Sequence, residues 1–238
     1  MELTTEQAKY LLQKFKESST TTAHSNVWAN RSYAPMYIYE AELVNIKRLI
    51  EKHFHDYVIA FDVIFESKGN LVDWHCDYES LGPFYVPNRW QALKKHSFLS
   101  IHFNLTDDGG SLTTLPWIKL SYLHYLCIST FGIFSVLHRF LVFLSMPIFI
   151  LFAEKCSNKK YSGNIFDNTL LHSVSYGKPR ISYVIRLVKK DVLLTKNSVL
   201  DGISRSSACL VFQKLLNIFD DSEEKLSENI DWYSVLKA

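Results

Sequence analysis

The sequence predicts a mainly β domain flanked by helices, because the spacing of its apolar residues changes along the chain. Residues 57–66, 71–78 and 98–105 alternate apolar and polar positions, which is typical of strands. Nearer the N-terminus the apolar residues recur every three or four positions, which is typical of amphipathic helices. We therefore expect helices before a β core.

Length and composition favour one globular domain. The 238 residues are 47% hydrophobic and 14% aromatic, which is enough apolar surface to bury a full core. We expect this domain to consist of N-terminal helices over 1–56, a β core over 57–190 with a helical insertion at about 117–160, and C-terminal helices over 191–238.

Charge, cysteine spacing and the N-terminus indicate the setting of the protein. The formal net charge is only +2 and its basic clusters are pairs, so no nucleic-acid surface is expected. The four cysteines stand singly and the first residues are polar, unlike a disulfide framework or a secretory signal. We expect a reduced, cytoplasmic protein.

Two helices are predicted before the β core. Thr4 and Gln7 form a capping box for a first helix that continues to about Glu17. Leu43, Ile46 and Ile50 share one face of a second helix over about 40–55. Their apolar faces are expected to pack on a sheet.

Three pairs of strands are predicted, each around residues with turn chemistry. The pairs are 57–66 with 71–78, 98–105 with 111–115, and 165–174 with 181–188. Beyond 191 the pattern becomes helical again, with Ser206 or Ser207 as the cap of a helix to Phe219 and Ser227 as the cap of another.

A His-x-Asp triplet lies at the end of the second predicted strand. Residues two apart on a strand share a face, so His75 and Asp77 point the same way while Cys76 points to the other side. The triplet alone is common by chance. His172, on a distant strand, is a candidate third ligand, and two imidazoles with one carboxylate suit Fe(II) and oxygen chemistry.

Polar residues downstream supply a candidate anchor for an acidic co-substrate. Arg180, Ser182 and Arg186 share one strand face by the same parity, and the arginine fork suits a carboxylate. Arg180 is preferred because Ser182 accompanies it, and Arg186 is the alternative. His102 and Asn104 share a face of the middle strand and either line this pocket or satisfy backbone groups.

Singly, these residues have ordinary explanations. A lone strand histidine such as His172 usually makes a structural hydrogen bond, and a lone Arg180 is usually a solvated turn charge. Their order and their shared faces favour a joint site.

In this order the residues resemble the Fe(II)/2-oxoglutarate-dependent dioxygenase superfamily, with its His-x-Asp, distal His and downstream Arg-x-Ser. Residues 105–116, with Trp74 before His75, are most similar to the phytanoyl-CoA-hydroxylase-like branch, although 117–119 depart from its pattern. The resemblance covers about 57–188. It implies a double-stranded β-helix, a cupin-like jelly-roll of two facing sheets with an apolar helical insertion.

The resemblance also implies an activity. Fe(II) would be bound by His75, Asp77 and His172, and 2-oxoglutarate by Arg180 and Ser182. O2 would oxidise an unactivated C–H bond of a small or lipophilic molecule, releasing succinate and CO2. Hydroxylation is the expected outcome, with desaturation or cyclisation as variants. The alternatives are a catalytically silent jelly-roll that binds a ligand, and a membrane-associated interaction protein.

Two nearly uncharged stretches, 120–137 and 140–153, raise the question of a membrane. A single span would separate His75 from His172, and the second stretch is short and contains Pro147. We therefore expect helices packed on the β core, with peripheral membrane contact through about 120–153 or an apolar substrate channel as further readings.

Overall fold

The fold is described from a computed structural model that covers most of the first 189 residues. It describes residues 1–21, 28–32, 37–69, 72–76, 96–106, 110–131, 135–157, 159–167, 169–175, 178–189, 193–194 and 224–225. Helices in these ranges are α1 (Thr5–Ser18), α2 (Val44–His53), α3 (Ile118–Phe131) and α4 (Val136–Phe152).

The N-terminal helices form largely as predicted. The capping box of α1 is confirmed, because the Thr4 N–H donates to Gln7 Oε1 at 2.9 Å and the Gln7 N–H donates to Thr4 Oγ1 at 3.2 Å. The second helix is shorter than predicted, since two 3-10 helices, Tyr37–Tyr39 and Ala41–Leu43, occupy the chain immediately before α2.

The strands form two main antiparallel sheets. The six-stranded sheet has the order β1 (Ser19–Thr21), β2 (Trp28–Ser32), β3 (Tyr57–Ser67), β10 (Arg180–Lys189), β5 (Phe98–Asn104) and β8 (Gly163–Asp167). The four-stranded sheet has the order β4 (Val72–His75), β9 (Leu171–Val174), β6 (Ser111–Leu115) and β7 (Glu154–Ser157). Because the chain passes back and forth between the two sheets, the fold is the jelly-roll expected from the sequence.

None of the three predicted strand pairs forms as a pair. The strands β3 and β4 lie in different sheets, as do β5 and β6, and β9 and β10. The predicted turn glycines nevertheless have turn conformations, since Gly69 and Gly110 adopt positive φ angles of 80° and 69°. The strands before and after each glycine lie in different sheets, so the hairpin prediction was wrong about the partners.

The predicted strand over 165–174 is also wrong, because it is two strands. The Asp167 carboxylate accepts the Thr169 N–H at 2.9 Å, and the Leu170 N–H donates to the Asp167 carbonyl at 3.1 Å. This turn, held by an Asp side chain, ends β8 and starts β9 in the opposite sheet.

The main apolar core lies between the six-stranded sheet and the N-terminal helices. Ile64, Ile101 and Tyr183 are fully buried on the outer face of this sheet. Leu11 of α1 and Ile50 of α2 belong to the same cluster. Each such side chain contributes about 1.5–3 kcal/mol by leaving water, so these helices fix the back of the sheet.

A second cluster covers the back of the four-stranded sheet. Trp74 and Leu171 point outward from β4 and β9, and Val142 and Phe149 of α4 pack against them. The Trp74 and Phe149 rings are stacked with centroids 4.1 Å apart. The apolar insertion is thus helical and packed on the β core. None of the helices described here is long and apolar enough to cross a membrane.

The C-terminal predictions lie mostly outside the described residues. The helices expected after Ser206 or Ser207 and after Ser227 fall in ranges that the structure does not describe. Within the described part, Leu193–Leu194 (β11) pairs with Glu224–Lys225 (β12) in an antiparallel ladder.

Candidate functional site

Two histidines face each other across neighbouring strands of the four-stranded sheet. His75 on β4 is directly opposite His172 on β9 in the antiparallel register. Their ring centroids are 4.3 Å apart, with an interplanar angle of 53°. Residues that lie opposite each other in a ladder share a face, so both imidazoles point to the same side of the sheet.

Each imidazole is held by the same hydrogen bond to its own strand. His75 Nδ1 lies 2.6 Å from the carbonyl oxygen of Asp73, and His172 Nδ1 lies 2.9 Å from that of Leu170. A carbonyl oxygen only accepts, so Nδ1 of each neutral ring carries the proton and Nε2 carries the lone pair. This arrangement orients a histidine that binds a metal through Nε2.

The spacing of the two rings fits a shared metal ion. Two imidazoles at right angles around one ion, with metal–nitrogen bonds of about 2.1 Å, have ring centres about 4.5 Å apart. The observed 4.3 Å is close to that separation. The pair can therefore supply two adjacent ligands without a change of backbone register.

The third predicted ligand, Asp77, lies outside the described residues. Within the described ranges no group of three or more His, Cys, Asp or Glu side chains is placed to hold a metal ion. Cys76 takes the opposite side of the strand, as its parity predicts, and its Sγ lies 3.7 Å from the Ser121 carbonyl oxygen. The structure thus describes two of the three predicted ligands together.

The interior face of the six-stranded sheet lies opposite the histidine pair. Phe166 of β8 belongs to this face, and its ring centroid is 5.1 Å from that of His172. In the register of the sheet, Phe166 is opposite Ser100, which in turn is opposite Arg186. The same face continues along β10 and β5, where Ser182 is opposite Asn104.

Arg180 and Ser182 are both buried at the start of β10. Arg180 is 5% exposed and Ser182 is fully buried. Burial lowers the pKa of the Arg180 guanidinium from its ordinary value, although a guanidinium stays protonated in proteins. The Ser182 hydroxyl has no hydrogen-bond partner among the described residues. A buried cation beside this hydroxyl favours an anionic, hydrogen-bonding ligand.

The other predicted pocket residues lie on the same face of the sheet. Arg186 donates from Nη1 to the Ser100 hydroxyl. Asn104 Oδ1 accepts the Thr106 N–H at 3.3 Å, and the His102 ring lies 5.8 Å from that of Phe65. These side chains line the interior face. Arg186 lies six residues from Arg180, about 20 Å along the strand.

Ser121 is a supporting residue that the sequence did not reveal. It is fully buried on α3, its hydroxyl accepts the Leu171 N–H at 3.0 Å, and its carbonyl lies near the Cys76 thiol. Leu171 precedes His172 and Cys76 follows His75. One residue of the insertion therefore touches both histidine strands, and its sequence context carries no signal for this.

Asp167 is a second supporting residue, and the sequence around it contains a recognisable turn motif. Besides Thr169 it binds His96, whose Nδ1 lies 2.7 Å from Oδ2, and this contact raises the pKa of His96. The turn that Asp167 holds ends at Leu170, whose carbonyl binds His172. Asp-x-Thr is a recognisable turn sequence, so this break before Leu171 was predictable.

Comparisons with known proteins give the fold. No protein-family model matches the chain, and no curated protein matches it in sequence. Among solved structures, the alpha ketoglutarate dependent non-heme epimerase SnoN from nogalamycin biosynthesis is 13% identical and has a TM-score of 0.50. The match covers 79% of this chain and 76% of SnoN. At this identity the similarity shows a shared jelly-roll architecture.

Two further solved structures are similar at lower TM-scores. EctD from S. alaskensis, in its apoform, is 15% identical with a TM-score of 0.46, covering 82% of this chain and 72% of EctD. HygX from Streptomyces hygroscopicus, with nickel and 2-oxoglutarate bound, is 8% identical with a TM-score of 0.45, covering 79% and 80%.

Proposed function

We propose that the protein is an Fe(II)- and 2-oxoglutarate-dependent oxygenase that hydroxylates an unactivated C–H bond of a small or lipophilic molecule. The observation that carries the proposal is the opposed pair of His75 and His172, each held through Nδ1 by a carbonyl. The SnoN-like jelly-roll supports it, because SnoN is itself described as alpha ketoglutarate dependent.

His75 and His172 would bind the metal through Nε2, and Asp77 would be the third ligand. The carboxylate follows His75 by two positions, and two histidines with one carboxylate form a facial triad that leaves open positions for a co-substrate and O2. Bound Fe(II) would supply the two-electron oxidation in which 2-oxoglutarate and O2 become succinate, CO2 and one oxygen atom inserted into C–H.

Arg180 and Ser182 would hold the distal carboxylate of 2-oxoglutarate. The buried guanidinium favours an anion, and the buried Ser182 hydroxyl can donate to it. Arg186 is the weaker candidate for this role because Ser182 stands two positions after Arg180, whereas Val188 stands two positions after Arg186. Both sheets shield this interior from water, which strengthens the ionic contact.

The tautomers of His75 and His172 prepare the two rings to bind a metal. Both rings must be neutral at Nε2 to bind a metal, and the Asp73 and Leu170 carbonyls stabilise that tautomer. The chain thus orients its ligands before the metal arrives. The side chains of the interior face exclude bulk water from the oxidation.

The test is turnover of 2-oxoglutarate by the full-length protein. The purified chain is loaded anaerobically with Fe(II), mixed with 2-oxoglutarate and O2, and assayed for succinate with and without small-molecule extracts. We expect succinate from the wild type and none above background from His75→Ala, with His53→Ala as the matched control. Metal binding without succinate under every condition would instead indicate a silent, ligand-binding jelly-roll.

A further inference from the structure

The helical insertion exposes a broad apolar surface. On α4, Val136 is 84% exposed, Phe143 71%, Ile150 77% and Leu151 72%. These positions recur at helical spacing, so they form one stripe on the side of α4 away from the sheet. Leu123 of α3 is 49% exposed. Together these five residues define what we call the apolar face.

This surface is unusual for a chain that stays in water. Isolated exposed apolar residues are normal, but a contiguous face of large side chains indicates a contact surface. The opposite side of α4 is already used, because Val142 and Phe149 pack against the four-stranded sheet. Helix α4 is therefore apolar on both sides, and only its inner side has a partner in the described fold.

The charged residues of the insertion are mostly basic. Lys119, Arg139 and Lys155 are all exposed, at the start of α3, near the start of α4 and just after α4. Glu154 is the only acidic residue from 117 to 160. A second copy of the chain would bring like charges together, whereas a surface of anionic lipid headgroups would be attracted.

An aromatic pair stands at one end of this surface. Trp117 is 38% exposed and its ring lies 4.8 Å from that of Phe152, which is 50% exposed. The pair is close in sequence to Lys119 and Lys155. Partly exposed aromatic rings beside lysines are typical of the boundary between lipid headgroups and acyl chains.

We propose that the apolar face of α3 and α4 docks the protein on the surface of an anionic lipid bilayer. Helix α4 has 17 residues, and one side of it is packed on the sheet, so it would lie in the plane of the membrane. Phe143 and Ile150 would enter the headgroup and acyl boundary. Lys119, Arg139 and Lys155 would contact anionic headgroups.

The docking surface lies on the helices that cover the back of the sheet carrying the histidine pair. Phe149 stacks on Trp74, which precedes His75, and Ser121 of α3 holds the Leu171 N–H. The helices that would contact lipid therefore pack directly on the strands that carry the candidate metal ligands. The proposal does not depend on the oxygenase activity, because vesicle binding is measured without turnover.

Co-flotation of the full-length protein with vesicles tests the proposal. Vesicles of phosphatidylcholine alone are compared with vesicles that also contain phosphatidylserine. We expect binding to the anionic vesicles, and a loss of about tenfold or more when Phe143→Glu and Ile150→Glu are combined. Leu49→Glu is the matched control, because Leu49 is 40% exposed on α2, away from the insertion. Thermal melts of all variants verify folding.

The charge arm uses Arg139→Glu and Lys155→Glu. Each is expected to weaken binding to anionic vesicles about fivefold, and added salt should do the same to the wild type. Equal binding to both vesicle types would overturn the anionic preference. Absence of wild-type binding, or full binding by the Phe143→Glu, Ile150→Glu variant, would overturn the docking surface.

Light scattering without vesicles tests whether the apolar face is instead covered by a second copy of the chain or by another part of the same chain. A dimer that dissociates in the Phe143→Glu, Ile150→Glu variant, together with no vesicle binding, would assign the apolar face to a second copy. A monomer that does not bind vesicles would assign the apolar face to another part of the chain. Either result contradicts the proposal.

Discussion

The hydroxyl of Ser121 accepts a hydrogen bond at 3.0 Å from the backbone N–H of Leu171, the residue before His172. This bond joins the helical insertion to a histidine-bearing strand at a buried point. It means that the insertion is part of the support of the candidate site and is more than a cover over the sheet.

Ser121→Ala should lower both stability and metal affinity. The change leaves the Leu171 N–H buried without its acceptor, at a cost of about 1–3 kcal/mol. Metal affinity should fall about 10-fold or more, as for other residues that orient ligands. Chemical denaturation and calorimetric titration with Ni²⁺ measure the two effects.

Ser135→Ala is the control for that experiment. Ser135 caps α4 by accepting the His138 N–H at 3.1 Å, so its loss costs about 1 kcal/mol without touching β9. Equal losses of metal affinity in both variants would mean that Ser121 acts only through stability.

His172→Ala and His75→Ala should each reduce Ni²⁺ affinity by more than about 100-fold, because each removes one ligand from the proposed metal. Without metal, the melting temperatures of both variants should stay close to that of the wild type. His53→Ala, on the exposed end of α2, is the control. Undiminished affinity in either variant would contradict the assignment of that ligand.

Arg180→Ala should raise the KM for 2-oxoglutarate by about 10-fold or more, since it removes a charge-assisted contact. Ser182→Ala should raise it less. Arg186→Ala is the internal comparison, and its KM should stay near that of the wild type. If the larger effect belongs to Arg186, then Arg186 is the anchor and the preference for Arg180 is wrong.

Asp62 should make stability depend on pH. Its carboxylate accepts the Tyr37 N–H at 3.1 Å, the Ile38 N–H at 2.7 Å and the Tyr183 hydroxyl at 2.5 Å. Burial nevertheless raises the pKa of Asp62 to about 7. A raised pKa stabilises the fold fully below the unfolded value of 3.8, and this contribution is lost as the pH rises to about 7.

Asp62→Asn removes that titration. The free energy of unfolding of the wild type relative to this variant should therefore shrink between about pH 4 and about pH 7. Urea denaturation at a series of pH values measures it, with Glu2→Gln, an exposed carboxylate, as the control. A difference that stays constant or grows over this range would contradict the expectation.

His124 should make stability depend on pH in the opposite direction to Asp62. Burial lowers the pKa of His124 to about 4, and the neighbouring His138 adds to the effect. At His124 the folded state then binds fewer protons than the unfolded state, so the contribution of His124 to stability should fall as the pH drops from 6.5 to about 4. His124→Gln should remove this acid sensitivity in the same denaturation series, whereas His53→Gln should keep it.

Local sequence patterns determined the parts of the fold that depend on neighbouring residues. The capping box at Thr4 and Gln7 and the opposite directions of His75 and Cys76 follow from helix and strand geometry over a few positions. So does the shared face of Ser182 and Arg186. Parity along a strand follows from the extended backbone conformation of a few neighbouring residues, and tertiary contacts did not alter it at these positions.

Only the tertiary structure decided which strands pair. The turn at Gly69 has hairpin chemistry, yet β3 pairs with β10 and β4 pairs with β9, each about a hundred residues away in sequence. Such pairing is set by burying two sheet faces against each other, which no short window of sequence contains. The hydrogen bond from Leu171 to Ser121 is of the same kind, since it exists only when the insertion packs on the sheet.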